Sequence, residues 1–584
     1  MSGREKCTRD VLKKRPRFFF VFFFLSFPLH LAFSPPFSYD KIKEKWAVFG
    51  NGSRTGRPRR AKSGGAARPP ENARTVCRAP AKEGAAGPTL KKGERAMREI
   101  QEVYKTNRLP VQVVQFGEGR LLRALIEPIF QKAVDESRFA GSVAIVKPTG
   151  RGNLDVFERQ SCLYTVILRG KQAGKVSDEA YPVTCVDRAV NPYRDFESFL
   201  ALARLPELSF VISNTTEAGI VLDREDRFDA APPASFPGKL TRFLYERYRC
   251  TGGAKDAGLV MLPTELIERN GDRLRECVLG LASIWGLEEG FAAWVREACV
   301  FCSTLVDRIV SGCPPEELPS LWERLGYRDE LLTVGEPFGM WAIEAPEDVA
   351  ARLPIDGPGS PAFFVRDLAP WKQRKVRILN GGHTSMVPAA FLAGKDLVRE
   401  CMDDAVIHRF LTETEAEEIV PYVPLPRADA LAFAGEVEQR FENPFLDHRL
   451  LDICANSFAK WKERVLPSVR DCYAAGKLPR RLVFSFAALL AFYTAAEKKD
   501  GELFGLRDGQ PYRLQESAQV LALAERFSSG SPEAYVEAAM REIGLWEERE
   551  TLPRFAELAA ADLRAIRETG ALRALEAVTE GGAR

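Results

Sequence analysis

Apolar residues recur along this chain with two different periods. Pro110-Val111-Gln112-Val113-Val114-Gln115-Phe116 is a short β-rich run that stops at Gly117-Glu118-Gly119, and Arg120-Leu121-Leu122-Arg123-Ala124-Leu125 then takes up helical spacing. Ser142-Val143-Ala144-Ile145-Val146 supplies the next strand and completes a βαβ unit. Further buried-strand runs lie at 163–168, 208–212 and 258–262, with helical stretches at 239–249 and 272–285 between them. This alternation predicts a mostly parallel sheet covered by helices on both faces. After about Pro370 the β-rich runs nearly vanish and amphipathic segments predict helices over 388–410, 428–441, 449–465, 482–495, 515–527 and 532–546. The stretch 482–495 is almost wholly apolar yet too short to span a bilayer, which makes it a central core helix. The expected body is therefore an α/β Rossmann-type domain over 97–366 followed by an all-α domain over 367–584.

Charge separates off the first 96 residues. The whole chain carries 83 Lys+Arg and 80 Asp+Glu, but residues 1–96 hold 22 basic and 7 acidic side chains and the remainder 61 and 73, so a +15 preface precedes a −12 body. The acidic body argues against nucleic acid as a partner, because phosphate binding needs a net basic face. Within the preface, the phenylalanine-rich run 18–33 follows Lys13-Lys14-Arg15-Pro16-Arg17, and 50–87 is rich in Gly, Arg, Ala and Pro without any period. Three readings compete for it: an export or anchoring segment, a basic disordered tail, and upstream sequence that is not translated. The last is favoured, since Lys91-Lys92-Gly93-Glu94 can encode a purine-rich ribosome-binding tract ahead of Met97. N-terminal sequencing of the native product is then expected to find Met97 or Arg98 first. The 12 cysteines form no dense framework, which fits reduced thiols and a cytoplasmic protein, and the close pair Cys299 and Cys302 reads as ordinary buried thiols.

The chemistry concentrates in two places. A glycine turn between strand and helix lets backbone N–H groups meet a phosphate, so Phe116, Gly117, Gly119 and Arg123 are candidates for holding a dinucleotide; two glycines kept for steric reasons alone read equally well. The acid that normally accepts the ribose hydroxyl is missing. Lys147-Pro148-Thr149-Gly150-Arg151 stands in its place, which leaves NADP open beside NAD. The second place is Lys375-Val376-Arg377-Ile378-Leu379-Asn380-Gly381-Gly382-His383. On a helix Asn380 and His383 lie about 140° and about 80° from Lys375, one broad face. Such a lysine can act as general base with Asn and His holding the reacting oxygen, or it can be a solvated Lys beside a structural Asn-x-x-His. Two adjacent glycines inside a helix imply that a backbone or flat ring approaches closely. Of the four histidines, His30 lies in the preface, His408 reads as a helix residue, and His448 follows Arg440 and the Asn443-Pro444 turn. Arg440 is suited to bidentate pairing with a carboxylate.

With Gln115-Phe116-Gly117-Glu118-Gly119, Ser213 to Ile220, Phe301 to Val310, Lys375 to Pro388 and Asn443-Pro444 in view, the chain resembles the mannitol dehydrogenase family of polyol-specific long-chain dehydrogenases over about 108–500. The resemblance implies NAD binding and catalysis without metal. Lys375 would be the base, with Asn380 and His383 on the oxygen. Asn214, Thr216 and Glu217 would lie near the nicotinamide, and Asp307, Arg440 and His448 would contact substrate. One departure is that Leu266 stands where polyol-acting members carry an Asn, a change shared with uronate-acting ones. The implied reaction is reduction of a keto-uronate to an aldonate, D-tagaturonate to D-altronate, with fructuronate reduction as the nearest rival and a non-catalytic nucleotide sensor as the rival of another kind. No membrane partner is implied, and the oligomeric state stays open.

Overall fold

Strands buried on both faces carry unbroken apolar runs, and in the computed structural model, which describes residues 97–581 except Glu217, such runs form the central sheet. Strands β1 (Val111–Phe116), β2 (Ser142–Val146), β3 (Val186–Val190), β4 (Phe210–Ser213), β5 (Val260–Pro263) and β6 (Val300–Phe301) lie in the order β3-β2-β1-β4-β5-β6, each neighbour parallel. Alternate residues feed two cores. Val113, Val143, Ile145 and Ile212 pack on one face, and Val114, Ala144, Val146 and Val211 on the other. The strand order reverses between β1 and β4, and that switch point opens a crevice beyond the carboxyl ends of the strands.

Two features of the sheet differ from expectation. The run at 163–168 belongs to a separate hairpin, Tyr164–Gln172 with Lys175–Val183, joined by Thr333–Gly335. The third strand of the main sheet is instead Val186–Val190, an edge strand buried only at its two ends, so it offers no apolar run.

The helical half is built round Arg480–Phe492, buried almost throughout. Several expected helices are interrupted for local reasons. The segment 388–410 breaks at Gly394, with φ +91°, restarts as the short helix Val398–Asp403, and starts again where the Asp404 carboxylate accepts from Val406 N and Ile407 N. The segment 449–465 breaks at Asn456, in the left-handed region at φ 56°. An antiparallel meander of Glu497–Lys499, Glu502–Arg507 and Gln510–Arg513 also interrupts the helices. Cys299 and Cys302 are buried, and burial pushes both thiols up to about 12. Residues 1–96, with the run 18–33 and His30, lie outside the described residues. Among the described residues no helix is long and apolar enough to cross a membrane.

Candidate active site

At the end of β1 the chain turns through Gly117 at φ +128°, where a Cβ would lie 2.9 Å from the Leu122 side chain and 3.0 Å from the Asn214 carbonyl oxygen. At Gly119 a Cβ would meet nothing within 4 Å. The helix that follows, a π-turn at Leu122–Ile126 running into α1 (Glu127–Asp135), begins against that open space. An open backbone at a helix N-terminus fits an anionic group such as a pyrophosphate. Two of the residues expected there do other work. Phe116 is fully buried, its ring 5.9, 5.1 and 6.2 Å from those of Phe199, Phe236 and Phe243. Arg123 donates through Nε to the Glu118 carbonyl at 3.2 Å and through Nη1 to the Leu331 carbonyl. It satisfies those carbonyls and so fixes the turn.

The next strand end lines the same crevice. Asn214 donates its backbone N–H to the Phe116 carbonyl at 3.0 Å and its amide to Thr264 Oγ1 at 3.0 Å. Thr216 adopts φ +127°, a strained value for a residue with a Cβ, and Glu217 lies outside the described residues. Buried Glu265 accepts from Ser213 Oγ at 3.0 Å, Thr215 N at 3.0 Å and Thr215 Oγ1 at 2.9 Å. Its neighbour Leu266 is 56% exposed. Buried Asn270 donates to the carbonyls of Pro263, Glu265 and Thr304, tying the end of β5 to the strand Ser303–Asp307.

That strand delivers the second half of the site. Lys375 Nζ donates to the Val306 carbonyl at 3.1 Å and lies 3.5 Å from Asp307 Oδ1. Asp307 is held in turn by Arg440, whose Nη1 and Nη2 reach its two carboxyl oxygens at 2.9 and 3.2 Å. The other edge of the same guanidinium donates from Nε and Nη2 to Glu336 at 3.0 and 2.8 Å. Burial alone would push the Asp307 carboxyl up, but the charges of Arg440 and Lys375 outweigh it and hold the group below its ordinary value. Asp307 and Arg440, expected to touch substrate, are thus spent on one another and on Glu336, because a buried charge without a partner is costly. Through Asp307 the clamp reaches Lys375.

Lys375–Asn380 forms a π-turn between the helix Ala369–Arg374 and α2 (Gly381–Leu392). The 100° spacing used to place Asn380 and His383 therefore fails over those six residues, since a π-turn is wider than an α-turn. The adjacent glycines accommodate neighbours: a Cβ on Gly381 would approach the Arg464 carbonyl oxygen at 3.1 Å, and one on Gly382 would reach Glu415 Oε1 at 2.5 Å. His383 is buried, stacked on Phe441 at 3.9 Å and 11° and edge-on to His448 at 5.3 Å. Burial first, then the charges of His448, Arg440, Arg464 and Lys460, drive its pKa well below the ordinary value, so the ring is neutral. Its Nε2 is buried and takes no partner among the described residues. His408 lies apart, 3.5 Å from Glu438.

Glu336, Glu415, Lys460 and Arg464 carried no sequence signal, because a lone charged residue resembles any solvated one. Glu415 is 1% exposed and neither of its carboxyl oxygens is paired among the described residues; burial, with Glu438 beside it, raises its pKa well above the usual range. A carboxyl raised in this way adds stability at low pH that is lost as pH rises above its unfolded value. Glu415→Met is therefore expected to stabilise the fold by about 1–3 kcal/mol near neutrality. Urea unfolding at pH 5 and pH 8 checks this, with the larger gain at pH 8; a destabilised variant would show that the carboxyl is bonded.

Comparison with known proteins converges on one family. Residues 111–357 match the mannitol dehydrogenase Rossmann domain and residues 367–566 the mannitol dehydrogenase C-terminal domain. The chain is 43% identical over 422 residues to an altronate oxidoreductase of Yersinia enterocolitica, covering 72% of this chain and 85% of that one. It is 39% identical over 470 residues to an altronate oxidoreductase of Bacillus subtilis, covering 80% and 95%. Among solved structures it shares its fold with a D-sorbitol dehydrogenase in substrate-free form, at TM-score 0.67 and 20% identity over 81% of this chain and 96% of that one. A Pseudomonas fluorescens mannitol 2-dehydrogenase in ternary complex with NAD and D-mannitol gives TM-score 0.59 and 18% identity over 82% and 96%.

Proposed function

The chain belongs to the mannitol dehydrogenase family of oxidoreductases, and from that premise we propose that it reversibly reduces D-tagaturonate to D-altronate with NADH. One observation carries the reading. Lys375 is fixed by Val306 and Asp307, and the Arg440 that grips Asp307 also bears on a neutral His383 whose Nε2 has no partner among the described residues, the pairing that a keto-oxygen needs. The altronate oxidoreductase names of the relatives support the substrate, and the open backbone at Gly119 supports the dinucleotide.

Bound at the glycine turn, NAD(H) supplies or removes the hydride. Lys375 gives its proton to the keto-oxygen as that oxygen becomes a hydroxyl, and takes it back in the reverse direction. Asn380, half-buried, and His383 hold the oxygen. The substrate's carboxylate falls to Lys460 and Arg464, half-buried cations whose charge is felt at His383. His448 is placed edge-on beside the same ring. The test is the rate of NADH oxidation with D-tagaturonate, D-fructuronate and D-fructose. D-tagaturonate is expected to give the highest kcat/KM, and a higher value for D-fructuronate would replace the assignment. Lys460→Ala is expected to raise KM about tenfold for the uronate and to leave KM for uncharged D-fructose unchanged; equal effects on both would remove Lys460 from carboxylate binding.

A further inference from the structure

At the end of β2, where a dinucleotide fold ordinarily places the acid that receives the ribose hydroxyls, this chain has Lys147. Its side chain is 3% exposed, and its ammonium lies 2.6 Å from Glu118 Oε1. Glu118 comes from the glycine turn itself, between Gly117 and Gly119. The turn is fixed: Gly117 N donates to the Val146 carbonyl at 3.0 Å, and the Glu118 carbonyl accepts from Arg123 Nε. The loop after Lys147 closes over it. A Cβ on Gly152 would lie 3.7 Å from Lys147 Nζ, and Tyr193 packs against Gly150 and donates its hydroxyl to the Pro148 carbonyl at 3.3 Å. Lys147 is thus covered by its own loop and neutralised by Glu118. The Glu118 side chain keeps 26% exposure at the crevice, and its second carboxyl oxygen accepts no hydrogen bond among the described residues.

We infer that Glu118 is the acid that receives the adenosine ribose of the cofactor, displaced from the second strand to the glycine turn, and that it sets preference for NAD over NADP. A ribose diol donates to the free carboxyl oxygen, whereas a 2′-phosphate placed there meets a carboxylate, and Lys147 is already spent. Arg151 lies exposed on the covering loop, apart from the buried pair. The inference rests on the dinucleotide reading above.

The test is direct titration of the purified chain with NADH and with NADPH, followed by nucleotide fluorescence, for the wild type, Glu118→Gln, Lys147→Met and Arg151→Ala, with circular dichroism as the control for folding. The wild type is expected to bind NADH at least about tenfold more tightly than NADPH. Glu118→Gln is expected to weaken NADH about tenfold, the loss of a charge-assisted hydrogen bond, and to strengthen NADPH, so that the preference collapses. Lys147→Met leaves the carboxylate without its counter-charge and is expected to widen the preference, which keeps the inference testable if Glu118→Gln does not fold. Arg151→Ala is expected to leave the ratio unchanged. Equal binding of both nucleotides by the wild type, an unchanged ratio in Glu118→Gln, or a narrowed one in Lys147→Met overturns the role of Glu118 alone. No binding of either nucleotide overturns the dinucleotide reading with it.

Discussion

Lys375→Ala is expected to lower kcat by about 10²–10⁴-fold, the range carried by a positioned general acid–base, with folding and NADH binding retained. The separation follows from the contacts. Removing the amine deletes one bond to the Val306 carbonyl and one 3.5 Å ion pair, yet Asp307 keeps both of its bonds from Arg440, so no buried charge is stranded. The glycine turn shares no hydrogen bond with Lys375 and should be undisturbed. Lys375→Arg is expected to be equally inactive despite its charge, because a guanidinium does not release its proton in this pH range. Steady-state NADH oxidation beside an NADH titration distinguishes the outcomes. Turnover near the wild-type rate in either variant would remove Lys375 from the proton transfer, and lost NADH binding would mark a structural role.

Arg440→Met is expected to cost about 3–5 kcal/mol of stability, the loss typical when one partner of a buried ion pair is removed. Here it leaves Glu336 without a counter-charge and Asp307 with only the 3.5 Å contact to Lys375, both carboxylates being almost wholly buried. The pH dependence has a definite sign. In the wild type the depressed Asp307 carboxyl contributes stability that is complete above its unfolded value, about 3.9, and is lost as pH falls through its folded value. Without Arg440 burial dominates and both carboxyls rise, so the variant regains stability as pH falls and each takes up a proton. Urea unfolding should therefore show a larger deficit at pH 8 than at pH 5.5. A deficit that does not change between those pH values would mean that the carboxylates are not stranded.

Strands buried on both faces were legible because burial writes an unbroken apolar run, and 142–146 is the clearest instance. Val186–Val190 was not, since an edge strand tolerates polar positions and Asp187 and Arg188 interrupt the apolar run here. At the site, residue types were readable and their geometry was not. Lys375, Asn380 and His383 stand out by spacing, but no hydrophobic period signals the π-turn that sets their directions. For Arg440 the chemistry was foreseeable, a bidentate grip on carboxylate, while its owner was not: Asp307 and Glu336 lie 133 and 104 residues away in the chain. The bonds of Arg123 to the Glu118 and Leu331 carbonyls were not readable either, because a cation beside a glycine turn looks the same in sequence whether it faces a phosphate or a carbonyl.

The Arg440 clamp also constrains how this protein can be recombined. Its guanidinium belongs to the helical half, while Asp307 and Glu336 belong to the sheet-bearing half. A chimera that joined this sheet-bearing half to a helical half lacking arginine at that position would bury two acids together with only Lys375 beside one of them. The halves are interchangeable between relatives only where that one arginine travels with them.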